Sequence, residues 1–119
     1  MTSSPLRVPQ PGSRVRGSRT GKPVMALLDL LGRRWALRVL WELRGEPLTS
    51  RALREACGGL SPTVVGDRTR ELREAGLISL EEPAGYALTP LGRELLDRFL
   101  PLVAWSERWA RRSDRKSVV

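Results

Sequence analysis

The chain has 119 residues, enough for one domain with one modest core, and its 21 basic and 13 acidic residues give a net charge of +8. It has no histidine and one cysteine, which excludes His-based triads and dyads, histidine or multi-thiolate metal sites and an intrachain disulfide. A carboxylate-based enzyme remains formally possible. The one adjacent acidic pair, Glu81 and Glu82, precedes Pro83 in a predicted turn, however, and is interpreted as solvated turn charges. We therefore predict a protein that is not an enzyme and uses no cofactor or metal.

The positive charge is concentrated at the two ends of the sequence. Residues 1–24 contain five basic residues and no acidic one, whereas residues 25–105 contain 11 arginines and 11 acidic residues. Residues 1–23 are rich in Pro, Gly and Ser without apolar periodicity, which predicts a flexible basic arm that follows DNA phosphates or only aids solubility. Residues 113–119 are predicted to form a flexible tail. Without an apolar run near 18 residues or an apolar signal core, we expect a cytoplasmic protein.

Helices are predicted for most of the first half of the chain. Residues 24–31 are apolar almost all round, which indicates a helix that is buried on more than one side. After Gly32 a second helix is predicted over residues 34–44, with Trp35 in the core. A short strand at Pro47–Leu48 precedes a third helix, residues 51–57, which Thr49 or Ser50 would cap. Cys57 ends this helix, and we interpret it as a buried structural residue rather than a redox sensor.

The next segment predicts a helix, a hairpin and another helix. Ser61 is a good N-cap, Pro62 suits the first helical position, and Gly76 suits the end of a helix over about residues 61–75. Residues 77–88 are typical of two short strands around a Pro-Ala-Gly turn. A long last helix follows towards residue 112, and Pro101 is expected to kink or divide it. The fold class is therefore mainly α with a small β-hairpin, a winged helix-turn-helix with extra N- and C-terminal helices.

Periodicity separates two faces of the helix over residues 61–75. Val65, Thr69 and Leu72 recur at helical spacing and are predicted to face inward. In a winged helix-turn-helix the opposite face enters the DNA major groove, and Arg70 is the best candidate for a base or phosphate contact. Asp67 either accepts a hydrogen bond from cytosine or only pairs with Arg70. The predicted DNA-binding residues are Ser61, Thr63, Gly66, Asp67, Arg70 and Arg73, with Arg34, Arg51 and Arg54 as phosphate clamps. The plainer interpretation is a solvated helix face with internal ion pairs.

Several short motifs together resemble the HxlR-type winged-helix transcriptional regulators. They are Leu-Leu-Gly-Arg-Arg-Trp at 30–35, Arg-Glu-Leu at 70–72, Ala-Gly-Leu-Ile at 75–78, and Tyr-x-Leu-Thr-x-x-Gly at 86–92. The resemblance implies a homodimeric bacterial or archaeal regulator that binds double-stranded DNA. The chain departs from the family pattern at Lys22, where oxidant-sensing members carry a cysteine, and at Thr69, where a leucine is usual. The short wing contains Glu81 and Glu82 but no Lys or Arg.

The resemblance also implies that the first and last helices pack against those of a second subunit. Trp105 and Trp109 lie one turn apart on one helix face, and burial in a dimer interface is the natural use of such a surface. An aromatic cleft between subunits that binds a small, flat, apolar effector is a second possibility. The predicted interface residues are Leu27, Leu28, Trp41, Leu102, Trp105 and Trp109. The predicted function is sequence-specific DNA-binding transcription regulation by a homodimer; the alternative is a winged-helix protein–protein interaction module that does not bind DNA.

Overall fold

The computed structural model describes the chain from residue 22 to residue 118, with side chains up to residue 112. The predicted basic arm therefore lies almost entirely outside the described residues. The elements are α1 (Pro23–Leu31), α2 (Ala36–Glu42), α3 (Ser50–Ala56), α4 (Pro62–Glu74), β1 (Ile78–Glu81), β2 (Gly85–Leu88) and α5 (Pro90–Val118). This order of a helical half, a hairpin and a last helix confirms the predicted fold class.

Side-chain caps set the starts of three helices. Thr49 Oγ1 accepts a hydrogen bond from Ala52 N at 3.1 Å, so Thr49 rather than Ser50 caps α3. Ser61 Oγ accepts from Val64 N at 3.2 Å at the start of α4. At the start of α5, Thr89 Oγ1 accepts from Gly92 N at 3.0 Å and donates to the carbonyl oxygen of Gly76 at 2.7 Å. Each hydroxyl satisfies a backbone N–H that the helix leaves without a partner.

The second helix begins two residues later than predicted. Trp35 has a φ of 75°, in the left-handed region, and α2 starts only at Ala36. The prediction that Trp35 is a core residue is wrong, because this turn leaves its ring half-buried, 5.4 Å from the guanidinium of Arg34. Ala36 and Val39 carry the buried face of α2 instead.

The core lies where α2, α3, α4 and the hairpin meet. Its most buried apolar side chains include Val39, Leu53, Val65 and Leu72, each fully enclosed. Cys57 packs into the same core, as predicted, and burial raises the pKa of its thiol, with Arg38 lowering it and Glu42 raising it to smaller extents. A protonated, enclosed thiol is a poor nucleophile, which agrees with a structural role.

The wing is a two-stranded antiparallel hairpin in which Ile78 pairs with Leu88 and Glu81 with Gly85. The predicted first strand at Pro47–Leu48 is reduced to a single bridge, in which Leu48 and Tyr86 exchange backbone hydrogen bonds of 2.9 and 2.8 Å. Gly85 has a φ of 116°, and a Cβ there would overlap the carbonyl of Leu48. Glycine therefore allows this close approach.

The last helix is continuous through Pro101 and continues to Val118, past the predicted end near residue 112. Of the two predicted effects of Pro101, division of the helix is wrong: the residues around Pro101 are exposed, so water can hydrate the carbonyl that proline leaves without a backbone donor. From Asp97 to Arg112 only Phe99 is partly buried. Of the helices within residues 22–118, none combines the length and apolar character that crossing a membrane requires.

Candidate nucleic-acid interface

Helices α3 and α4 form the helix-turn-helix, and two glycines make the turn between them. Gly58 and Gly59 have φ values of 86° and 88°, which few residues other than glycine adopt readily. Arg54 Nε on α3 donates to the carbonyl oxygen of Leu60 at 3.0 Å, which connects α3 to the residue that follows the two glycines. Arg54, predicted as a phosphate clamp, therefore uses part of its guanidinium to fix the angle between the two helices.

The inner face of α4 is the one that periodicity predicted. Val65, Thr69 and Leu72 are all buried. Thr69 occupies its apolar surroundings without an unpaired hydroxyl, because its Oγ1 donates to the carbonyl oxygen of Val65 at 2.8 Å. A polar residue thus replaces an apolar one on this face at little cost in desolvation.

The outer face of α4 carries exposed polar groups. Thr63, Gly66, Arg70 and Arg73 are exposed, and the side chain of Asp67 is 43% exposed. The guanidinium of Arg70 lies 3.7 Å from a carboxylate oxygen of Asp67 and 3.7 Å from one of Glu74. The internal ion pair predicted as one role for Asp67 is therefore formed, but loosely and in solvent, so it leaves Arg70 available to another partner.

The surroundings of the outer face carry the other predicted contacts. Ser61 at the N-terminus of α4, Arg51 in the first turn of α3 and Arg34 before α2 are all exposed. An open groove separates α4 from the wing, with Arg70 and Arg73 on one side and the β1 strand on the other. At the wing, Glu81 accepts a hydrogen bond from the hydroxyl of Ser79 at 2.7 Å. The wing carries the acidic side chains of Glu81 and Glu82 and no basic side chain that could pair with a phosphate.

Sequence reasoning missed a buried carboxylate in α4. Glu71 is 1% exposed and lies between the guanidinium groups of Arg33 and Arg68. The sequence pattern singles out this glutamate only as part of the Arg-Glu-Leu motif. The spacing of these residues could have indicated the burial. Arg68 follows Val65 by three residues and Glu71 follows Arg68 by three, so both side chains lie beside the buried stripe of α4.

The predicted dimer surface is largely uncovered in the single chain. Leu28, Leu102, Trp105 and Trp109 are exposed, and the two indole rings stack with centroids 6.1 Å apart. Leu27 and Trp41 are half-buried, and Trp41 lies 4.0 Å from the guanidinium of Arg44. Between α1 and the first turns of α5 lies an apolar groove of about 280 Å³, lined by Ala26, Leu27, Leu30, Leu77, Leu91 and Leu95 among others.

Comparisons with known proteins agree with this architecture. The family model described as HxlR-like helix-turn-helix matches residues 30–114. A solved structure from Enterococcus faecalis V583, assigned to the MarR family of transcriptional regulators, shares 28% identity with a TM-score of 0.67, over 87% of this chain and 99% of that one. No curated protein matches the sequence significantly.

Two further solved structures are similar in fold. Quinone-bound YodB from Bacillus subtilis shares 24% identity with a TM-score of 0.66, over 71% of this chain and 94% of its own. A protein from Thermoplasma volcanium GSS1, assigned to the HxlR family of transcriptional factors, shares 23% identity with a TM-score of 0.66, over 76% of this chain and 86% of its own. At these identities the likeness concerns the winged-helix fold, and the resemblance that the motifs indicated is confirmed by the family match.

Proposed function

Because this chain belongs to the HxlR-like helix-turn-helix family, it is a DNA-binding transcription regulator, and we propose that it acts as a homodimer on specific double-stranded sites. The observation that carries the proposal is the division of α4 into a buried inner face and a solvated outer face with Thr63, Asp67, Arg70 and Arg73. A helix supported in this way presents its outer side chains to the major groove without disturbing the core.

Arg70 is the group that we propose reads the DNA. Its two carboxylate partners are both at 3.7 Å and close to half exposed, so replacing them by a guanine edge or a phosphate sacrifices little. Thr63 and Ser61 lie at the N-terminus of α4, where hydroxyl and backbone N–H groups suit phosphate oxygens. Arg34, Arg51 and Arg54 are proposed to hold the flanking phosphates.

Randomised-site selection with full-length protein tests this function directly. A two-fold dimer presents two recognition helices, so the enriched duplex should be a pseudo-palindrome with half-sites about one helical turn apart. An enriched motif without dyad symmetry would contradict the dimeric arrangement. Failure to bind any duplex at low salt would instead favour the alternative, a winged-helix module for protein–protein contact.

We propose that the dimer is held by α1 and α5. The exposed, stacked Trp105 and Trp109 lie on the part of α5 that projects from the domain, and the apolar groove beside α1 lacks a cover among the described residues. Replacing both tryptophans by serine should give monomers in sedimentation experiments, since each indole would bury more than about 100 Å² in such an interface. A stable wild-type monomer at micromolar concentration would refute this assembly. We propose as a second possibility that a cleft formed by these tryptophans between subunits binds a flat, apolar effector.

The basic arm is proposed to supply affinity rather than specificity. Residues 25–105 are formally neutral and the wing is acidic, so phosphate attraction has to come from local arginines or from the ends of the chain. Deleting residues 1–22 should lower the slope of log affinity against log salt by roughly 0.9 for each phosphate that the arm neutralises, with the ranking of sequences unchanged. An unchanged slope would assign the phosphate contacts to Arg34, Arg51, Arg54 and Arg73.

A further inference from the structure

A cluster of four charged side chains joins α1, the turn before α2 and α4. Glu71 Oε1 lies 3.0 Å from Arg68 Nε, and Glu71 Oε2 lies 3.1 Å from a terminal nitrogen of Arg33. The other terminal nitrogen of the Arg33 guanidinium lies 3.6 Å from a carboxylate oxygen of Asp29 on α1. Arg68 also donates to Glu71 Oε2 at 3.3 Å and to the carbonyl oxygen of Arg34 at 3.1 Å. We call Asp29, Arg33, Arg68 and Glu71 the inter-helix ion cluster.

The cluster fixes geometry in a way that apolar packing does not. The side chain of Glu71 is 2% exposed and those of Arg33 and Arg68 are 18% exposed, so its charges are largely withdrawn from water. Buried charges are tolerated only beside opposite charges, and both carboxylate oxygens of Glu71 lie within 3.1 Å of a guanidinium nitrogen, although the contact with Arg68 Nε is not aligned as a hydrogen bond. A small rotation or slide of α4 would separate Glu71 from Arg33 and Arg68 from the carbonyl oxygen of Arg34, whereas Leu72 and Val65 would still find apolar neighbours. Through Arg33, the cluster links α4 to Asp29 on α1.

We propose that Arg33, Arg68 and Glu71 are positioning residues for DNA recognition, which fix α4 relative to α1 and hence the distance between the two recognition helices of a dimer. This inference rests on the proposed function. Glu71 is adjacent to Arg70 in the same helix, so any shift that the cluster prevents would move the reading side chain as well. Asp29 lies on α1, which belongs to the proposed dimer surface, so the cluster connects the surface that sets spacing to the surface that reads bases.

The test is the dependence of binding on half-site spacing. Glu71→Gln keeps the size of the side chain but removes the charge that holds two guanidinium groups. Affinity should be measured for the selected duplex, for the same duplex with its spacer changed by one base pair either way, and for arbitrary duplex. Glu71→Gln should bind the selected duplex roughly tenfold more weakly, about the loss from one mismatched base pair, while arbitrary duplex changes less than about twofold. The penalty for altered spacing should also become smaller than in the wild type.

Glu42→Gln is the matched control. Glu42 also pairs with an arginine, Arg38, at 2.7 Å, but both residues lie on α2 and outside the inter-helix ion cluster. Both variants raise the net charge by one, so any general gain in attraction to DNA is shared, and Glu42→Gln should keep the spacing profile of the wild type. Arg33→Lys provides a second variant that retains the charge but loses the fork, and it should shift the spacing profile in the same direction.

Two results would overturn the inference. One is an equal loss of affinity for selected and arbitrary duplex in Glu71→Gln, since a smaller folded fraction lowers both alike. The other is an unchanged spacing profile in both Glu71→Gln and Arg33→Lys. A wild-type protein that binds no duplex would instead refute the proposed function, so the two failures are distinguishable.

Discussion

The two faces of α4 use the same residue types for different purposes. On the inner side, Arg68 and Glu71 meet at 3.0 Å with the carboxylate almost fully buried. On the outer side, Arg70 lies 3.7 Å from both Asp67 and Glu74, and all three side chains are about half exposed. The inner charges are committed to the fold, whereas the outer ones can exchange protein partners for DNA.

The energetic difference between the faces follows from solvent. An exposed ion pair contributes between zero and about 1 kcal/mol to stability, because water and salt screen it. Breaking a buried pair leaves an uncompensated charge in the interior and costs about 3–5 kcal/mol. Substitutions on the inner face should therefore lower stability, whereas substitutions on the outer face should change DNA binding without a loss of stability, and three of them test that difference.

The largest effect is expected for Glu71→Ala, which leaves Arg33 and Arg68 without their shared carboxylate. The free energy of unfolding should fall by about 3–5 kcal/mol in urea denaturation. Glu74→Ala is the control, since it removes the same functional group one turn later on the outer face and should change stability by less than about 0.5 kcal/mol. Equal losses in the two variants would remove the distinction between the faces.

Arg70→Ala should produce the opposite pattern. If Arg70 reads a base, binding to the selected duplex should weaken by about 1–3 kcal/mol, measured by titration at fixed salt. The free energy of unfolding should stay within about 0.5 kcal/mol of the wild type, because the ion pairs that this change removes are exposed. Arg38→Ala, which removes an exposed arginine paired with Glu42 on α2, serves as a charge control. Unchanged affinity in the Arg70 variant would show that the outer face does not contact DNA through this residue.

The smallest effect is expected for Thr69→Val on the inner face. Valine has nearly the shape of threonine, and the change removes the hydroxyl that donates to the carbonyl oxygens of Val65 and Gly66. Stability should change by no more than about 1 kcal/mol, and affinity for DNA should not change. A clear loss of DNA affinity with full stability would mean that Thr69 helps to position the outer face after all.

Local signals in the sequence determined much of the fold. The hydroxyls of Thr49, Ser61 and Thr89 fix helix starts, because an N-cap needs only groups three residues away. The spacing of Val65, Thr69 and Leu72 identified the inner face of α4 for a similar reason, since a helical period is a local property. The motifs also predicted the family, which the match over residues 30–114 confirms.

Only the tertiary structure decided which residues that are distant in the sequence come into contact. Glu71 and Arg33 are 38 positions apart in the chain, and no local pattern predicts that their side chains lie 3.1 Å apart. Trp35 has a large apolar ring, which suggested a core residue, yet the left-handed turn before α2 leaves it half-buried. Leu48 makes a single bridge to Tyr86, which lies 38 positions later in the chain. In each case the outcome depends on contacts that form between distant segments when the chain folds, and a local sequence pattern does not contain them.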